Sequence, residues 1–344
     1  MIPYSRQKIY KEDIKSVLQV LKSDFLTTGP KVKKFEEDLC NFFGSKFSIS
    51  TNSATSALHL GCLALGLKKN DYLWTSSISF VASANCGLYC QANVDFLDIN
   101  PKTLNVCLDK LEIKLLEAKK QGKLPKIIIP VHLGGNPCDM VQLKKLSNVY
   151  KFKILEDASH AVGSKYQGSY IGSCKFSNAC VFSFHPVKSM TTGEGGAVLT
   201  NDKKMIKKLI SLRAHGIVRE NINKKFKWHY EQKYLGYNYR MSDLQAALGI
   251  SQLKKLNFFT KKRNLLAKIY KKKLNPEKII IQKVEKESYS SYHLFIIRTT
   301  KSKKKKIYDA LLKNKIITSF HYMPIYKHPY YKKYNYNLKN FKES

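Results

Sequence analysis

The 344-residue chain is 43% hydrophobic and 25% charged, a globular balance with room for two domains or one large domain and a smaller appendage. Its 17 Gly, 10 Pro and 8 Cys exclude collagen-like and disulfide-scaffold classes, and the apolar share excludes a wholly disordered chain. The net charge of +36 sets 61 Lys and Arg against 25 acidic residues; so basic a chain would favour anionic ligands kinetically.

Only six of those cations are Arg (Arg6, Arg213, Arg219, Arg240, Arg263, Arg298), the residue whose guanidinium fork reads phosphate and guanine. Lysine on solvated faces is the first reading of the charge. Attraction of an acidic ligand is the second, and nucleic-acid binding, which the Arg shortage disfavours, the third. The opening MIPYSRQKIYKEDIKS lacks the ~7–15-residue apolar core of a signal peptide, and no run reaches the ~18 apolar residues of a membrane span. A cytoplasmic chain with no membrane partner is expected.

In chain order, residues 11–22 and 31–43 have helical periodicity and are separated by the turn TTGP. FSISTN then reads as a strand followed by the helix SATSALHLGCLALGL. IIIPVHL leads through a Gly-Gly-Asn-Pro turn to the helix MVQLKKLSNVYK, and KILED and ACVFSF follow as strands. This alternation predicts a mostly parallel sheet wrapped by helices over residues 1–250. Beyond it come a long helix from Leu253, strand-like IIIQKV and SYHLFIIRT, the helix KKKKIYDALLKNK, and strand-like ITSFHY, read together as a smaller α+β domain over 251–344. Eight cysteines without CxxC or zinc-finger spacing read as buried free thiols, and no metal site is expected.

Ligands of open α/β sheets gather outside the carboxyl ends of the strands. Four such ends carry suggestive residues. Thr51-Asn52-Ser53-Ala54-Thr55-Ser56 opens a helix, where bare amides and small hydroxyls suit a phosphate, although Ser and Thr are also ordinary N-caps. Glu156 and Asp157 end KILED, with His160 just beyond; a carboxylate there is either functional or a plain turn residue. Lys188 follows VFSF on a turn leading into the Gly-rich TTGEGG, where an apolar setting would lower its pKa and permit a Schiff base. Phe80 is either a ring cover or a core residue. A phosphate cradle, a carboxylate and a lysine on neighbouring strand ends suit pyridoxal phosphate.

The blocks TNSATSAL, SISFVASAN, EDASHAVGS, SFHPVKSMTTGEGGAVLTND, LRAHGI and GYNYRMSDLQAALGISQL resemble, in order and spacing, the DegT/DnrJ/EryC1/StrS sugar-nucleotide aminotransferases. WHYEQKYLGYNYR and HYMPIYKHPYY resemble most the branch acting in pseudaminic acid biosynthesis. The resemblance runs from Tyr4 through nearly the whole chain. It implies an α/β protein with the aspartate-aminotransferase-like fold (type I of the PLP-dependent transferases), a large sheet domain and a smaller C-terminal one.

It further implies Lys188 as the catalytic, cofactor-bearing lysine, Asp157 as partner of the pyridine nitrogen, and His160 near the ring's phenolic oxygen. Ser183 and the Ser53, Ala54 and Thr55 segment would hold the phosphate, with Phe80 over the ring. Asn238 would reach cofactor or substrate across the interface of a homodimer with shared sites. Tyr4, the turn Asp24, Phe25, Leu26 and Thr27, Ala54, Ser183, and His321, Tyr322, Met323 and Pro324 match substrate-side positions. The implied reaction transfers an amino group from a donor, L-glutamate, to a UDP-linked 4-keto-6-deoxy-N-acetylhexosamine.

Family chains continue past the stretch matched by NLKNFKES, so a shortened C-terminal domain is expected. Two rivals remain at this point. PLP sugar dehydratases of the same fold place His where Lys188 stands, which argues against that assignment. A catalytically inactive binding or regulatory protein is the other.

Overall fold

The computed structural model describes residues 1–218 and 229–344; Arg219, and Trp228 at the head of WHYEQKYLGYNYR, lie outside the described residues. Helices α1 (Lys11–Leu21) and α2 (Pro30–Phe43) open the chain. α2 starts on Pro30, whose fixed φ suits the first helical position, and stops at Gly44, left-handed at φ 77°. Strands and helices then alternate: β1 (Phe47–Thr51), α3 (Ala54–Ala64), β2 (Tyr72–Ser76), α4 (Ala82–Tyr89), β3 (Asn93–Leu97), α5 (Leu108–Lys120), β4 (Ile127–Ile129), α6 (Met140–Tyr150) and β5 (Lys153–Asp157). A hairpin of β6 (Lys165–Tyr166) and β7 (Ser169–Tyr170) precedes β8 (Ala179–Ser183), β9 (Gly196–Thr200) and α7 (Lys203–Arg213).

Seven strands form one sheet in the order β1-β9-β8-β5-β4-β2-β3. β9 is antiparallel to both neighbours, and the other pairings are parallel. The C-terminal ends of six strands therefore share one edge. β8 and β9 are buried at every residue, as a parallel sheet covered on both faces requires. Phe182 belongs to one core cluster with Phe35, Leu115 and Leu143 of α2, α5 and α6. Its neighbour Val181 points the other way, into the cluster that holds Leu58, Cys86 and Leu209 of α3, α4 and α7. β9 passes close to α3 because Gly196 has no side chain: a Cβ there would stand 2.6 Å from the Ala54 nitrogen.

After β10 (Ile217–Val218) and β11 (Glu231–Gln232), Ser242 and Gln245 form a capping box on α8 (Asp243–Leu253), and α9 (Leu256–Lys273) follows. α8 rests on α1 and α2, where the Ser16 hydroxyl donates to the Ala247 carbonyl at 2.9 Å. Met241 and Ala247 are buried by this packing, whereas Leu244 and Leu248 stay half-buried. β12 (Ile280–Ile281) pairs with β14 (Ile297–Arg298), and β13 (Ser288–Tyr289) joins β6. α10 (Lys301–Lys313) buries none of its residues, so its lysine run is a solvated face.

ITSFHY differs from its expected form. The bridge to Ile2 falls on Ile316, just before it; Ile317 donates its N–H to the Ile2 carbonyl at 2.9 Å, and the rest runs as irregular chain. Its apolar spacing permits a strand, but the partner offered is a single residue of the N-terminal segment. Beyond it, α11 (Pro329–Lys332) and its flanks return to the large core: Ile325, Tyr326, Tyr331 and Phe341 belong to the α3–α4–α7 cluster. Among the described residues no helix is long and apolar enough to cross a membrane, and no group of three or more His, Cys, Asp or Glu is arranged to hold a metal.

Candidate active site

Leu155 and Val181 belong to the core beneath α3 and α4, so Asp157 and Ser183, two residues further along β5 and β8, leave their strands on the same face. They are only 5% and 6% exposed. Asp157 Oδ1 accepts the Ser159 N–H at 3.1 Å, and Oδ2 accepts the Ser83 hydroxyl at 2.6 Å. Glu156 faces the opposite way and is engaged there. It accepts from Ser177, and from His132 Nε2 at 2.9 Å, while His132 Nδ1 accepts the Cys138 N–H. The two adjacent carboxylates thus divide between the functional edge and a structural network.

His160 is buried one turn beyond Asp157. Its Nδ1 accepts the Gly134 N–H at 3.3 Å, which leaves the proton on Nε2, 3.1 Å from the Tyr322 hydroxyl. Burial, then the positive charges of Lys188 and His321, hold its pKa well below the usual range. His293 lies against it, ring centroids 4.5 Å apart. Tyr322 stands between His160 and Phe80, whose ring lies 6.2 Å away and is 57% exposed. Phe80 therefore occupies the mouth of the site rather than the core. Tyr4 meets His321 at 5.6 Å, bringing the N-terminal segment to the same strap.

Lys188 lies on the turn after β8, where its N–H bonds the His185 carbonyl at 2.9 Å and Ser5 donates to the Val187 carbonyl at 2.9 Å. Desolvation pushes its ammonium pKa down to about 8, opposed in part by the Asp157 carboxylate. This is the perturbation an amine nucleophile needs. At the head of α3, the Ser53 hydroxyl caps the Ser56 N–H at 3.1 Å. The helix itself offers no acceptor to the Ala54 and Thr55 N–H groups. Uncapped N–H groups at a helix N-terminus are suited to an anion, and β9 passes beside them through Gly196.

The other substrate-side residues sit further out. Asp24, Phe25, Leu26 and Thr27 are all exposed. Their turn docks on the start of α8, where the Asp243 N–H donates to the Leu26 carbonyl at 3.0 Å and Thr27 bridges Ser242. Gln245 of the same helix donates to the Glu194 carbonyl at 2.8 Å, tying that turn to the Gly-rich loop after Lys188. Asn238 is exposed, while its backbone lies beside Ala214 and Asn52. Met323 is 47% exposed, and Pro324 is half-buried just before Ile325, whose N–H bonds the Ser77 carbonyl at 2.9 Å. Ser83, the Gly134 amide and His293 were not singled out by sequence. Only the SISFVASAN block offered a hint, through its serines.

Comparison with known proteins gives the family. The curated UDP-4-amino-4,6-dideoxy-N-acetyl-β-L-altrosamine transaminase of Campylobacter jejuni serotype O:23/36 is 40% identical over 337 residues, 97% of this chain and 86% of its own. The solved PseC of Helicobacter pylori, an aminotransferase involved in the biosynthesis of pseudoaminic acid, superposes with a TM-score of 0.87 at 35% identity, covering 98% of this chain and 89% of its own. The putative sugar aminotransferase Spr1654 of Streptococcus pneumoniae, solved in its PMP form, gives a TM-score of 0.91 at 28% identity, covering 100% and 91%. Residues 7–344 match a single family throughout. With strand-end chemistry, sheet order and relatives in agreement, the chain belongs to the DegT/DnrJ/EryC1/StrS aminotransferase family.

Proposed function

We propose that the chain transfers an amino group to the 4-keto carbon of a UDP-linked 4-keto-6-deoxy-N-acetylhexosamine, with L-glutamate as donor, in pseudaminic acid or a related surface-glycan synthesis. The observation that carries this reading is the desolvated Lys188 near the buried Asp157 at the sheet edge that also holds the head of α3. The cofactor is pyridoxal phosphate, and the residues fit it. When bound, it supplies the carbonyl that carries the amino group and the ring that spreads negative charge.

Every other task falls to the chain. Lys188, partly neutral near pH 8, acts as nucleophile and as the base and acid that move the proton between carbons. Asp157 would pair with the protonated ring nitrogen. His160, whose Nε2–H meets the Tyr322 hydroxyl, would sit near the ring's phenolic oxygen. Ser183 and the Ser53, Ala54 and Thr55 amides bind the phosphate, and Phe80 covers the ring. Tyr4, the Asp24–Thr27 turn and His321–Pro324 orient the sugar nucleotide and keep water from the reacting carbon. Eight free cysteines suit a reducing cytoplasm.

Asn238, exposed on one chain, completes the site of a second copy in a homodimer. The decisive assay offers a panel of UDP-4-keto sugars with glutamate and follows 2-oxoglutarate. One keto sugar should be aminated, and failure across the panel would overturn the assignment. Co-folded Lys188→Ala and Asn238→Ala chains should regain partial activity, whereas heterodimers as dead as either parent would deny the shared site.

A further inference from the structure

The buried carboxylate of Asp157 does not stand alone. The Ser83 hydroxyl lies 2.6 Å from its Oδ2, and the Ser79 hydroxyl lies 2.8 Å from that of Ser83. All three are sequestered, at 3%, 0% and 5% exposure for Ser79, Ser83 and Asp157. A serine hydroxyl has one proton. The carboxylate contact has the length of a charge-assisted bond, so Ser83 gives its proton to Asp157 rather than to the Phe80 carbonyl at 3.3 Å. The Ser83 oxygen must then accept, and Ser79 donates to it. The direction of the whole row is fixed: Ser79 to Ser83 to Asp157.

We propose that Ser83, backed by Ser79, is a positioning residue that fixes the orientation of the Asp157 carboxylate toward the cofactor's ring nitrogen. This inference rests on the assignment of Asp157 as partner of the cofactor's ring nitrogen. So oriented, the carboxylate would pair with the protonated ring nitrogen, whose charge the cofactor's electron sink needs. With Oδ2 held by Ser83 and Oδ1 by the Ser159 N–H, rotation of the carboxylate breaks two bonds at once. Phe80 belongs to the same turn, between the two serines, so one turn sets both the ring cover and the charge beneath it.

Apoprotein is titrated with pyridoxal phosphate and with its analogue bearing CH in place of the ring nitrogen. Ser83→Ala should bind the natural cofactor about ten-fold more weakly and lose about ten-fold in kcat, with the KM for sugar nucleotide unchanged. The analogue should bind wild type and Ser83→Ala equally, because it has no nitrogen for Asp157 to engage. Ser83→Thr should restore both quantities. Should Ser83→Ala not fold, Ser79→Ala removes only the outer link and should show the same pattern at roughly two- to three-fold.

Equal weakening for cofactor and analogue would reduce Ser83 to a packing residue and overturn the proposal. So would wild-type kcat and affinity in Ser83→Ala. Asp157→Asn serves as the control: if it alone behaves as wild type, the reading of Asp157 fails instead.

Discussion

The residues proposed to hold the cofactor and those proposed to meet the substrate lie in different surroundings. Asp157, His160 and Ser183 are buried on strand ends, and Asp157 and His160 have contacts from other elements, such as Ser83 and Gly134. Phe25, Leu26 and Met323 are 53%, 48% and 47% exposed, on a turn and a strap, and Asn238 is also exposed. The first group was shaped by the fold of one chain. The second presents its side chains outward, ready for a ligand or a second chain. On the proposed assignment, chemistry is held in the core while recognition is left at the surface, as expected when loops vary over a fixed scaffold.

The contrast is broken most directly at Lys188. Lys188→Ala should cost on the order of 10³–10⁴ in kcat, measured in single turnover, because nucleophile and proton carrier vanish together. In wild type, borohydride reduction and peptide mapping should find the pyridoxyl group on Lys188; an adduct on another lysine would dissolve the buried half as described. Asp157→Asn should lower kcat by about 10²-fold with little change in KM. A loss confined to KM would move Asp157 from the chemical half to the binding half.

Lys188 also makes the contrast visible in pH. Its folded pKa of about 8 lies below the ~10.4 of an unfolded chain, so between those values the unfolded state holds more protons and apoprotein stability rises with pH. Lys188→Met should therefore gain denaturant midpoint over wild type below pH 8, the gap narrowing as pH approaches ~10.4. A gap that ignores pH would mean an ordinary solvated lysine. The smallest effect belongs to the outer half: Phe25→Ala should raise KM for the sugar nucleotide several-fold yet shift stability by less than about 0.5 kcal/mol.

The same division governs what could be read from sequence. Strand ends were legible because apolar runs such as ACVFS and KILED stop where chemistry begins, and Lys188, Asp157 and His160 follow directly. Ser83 was not, because its bond to Asp157 crosses 74 positions of chain, a proximity that only the sheet order creates. His293 reaches His160 in the same way, from a segment whose strands shrink to two-residue pairs. ITSFHY carried the spacing of a strand but met only Ile2. Phe80 looked evenly poised between core and site by sequence, and its exposure removes it from the core.

The returning tail has a consequence for how the protein is made. Tyr331 and Phe341 fill the layer built by α3 and α4, and the Tyr336 hydroxyl donates to the Val94 carbonyl at 2.9 Å. The N-terminal Ile2 likewise pairs with residues 315–317. On a ribosome adding ~5–20 residues per second, the sheet and its catalytic edge emerge well before these partners. The nascent chain must hold an apolar face open to water for the several seconds that the last hundred residues take. Translation of this stretch, rather than collapse of the sheet, sets when the newborn molecule becomes safe from aggregation.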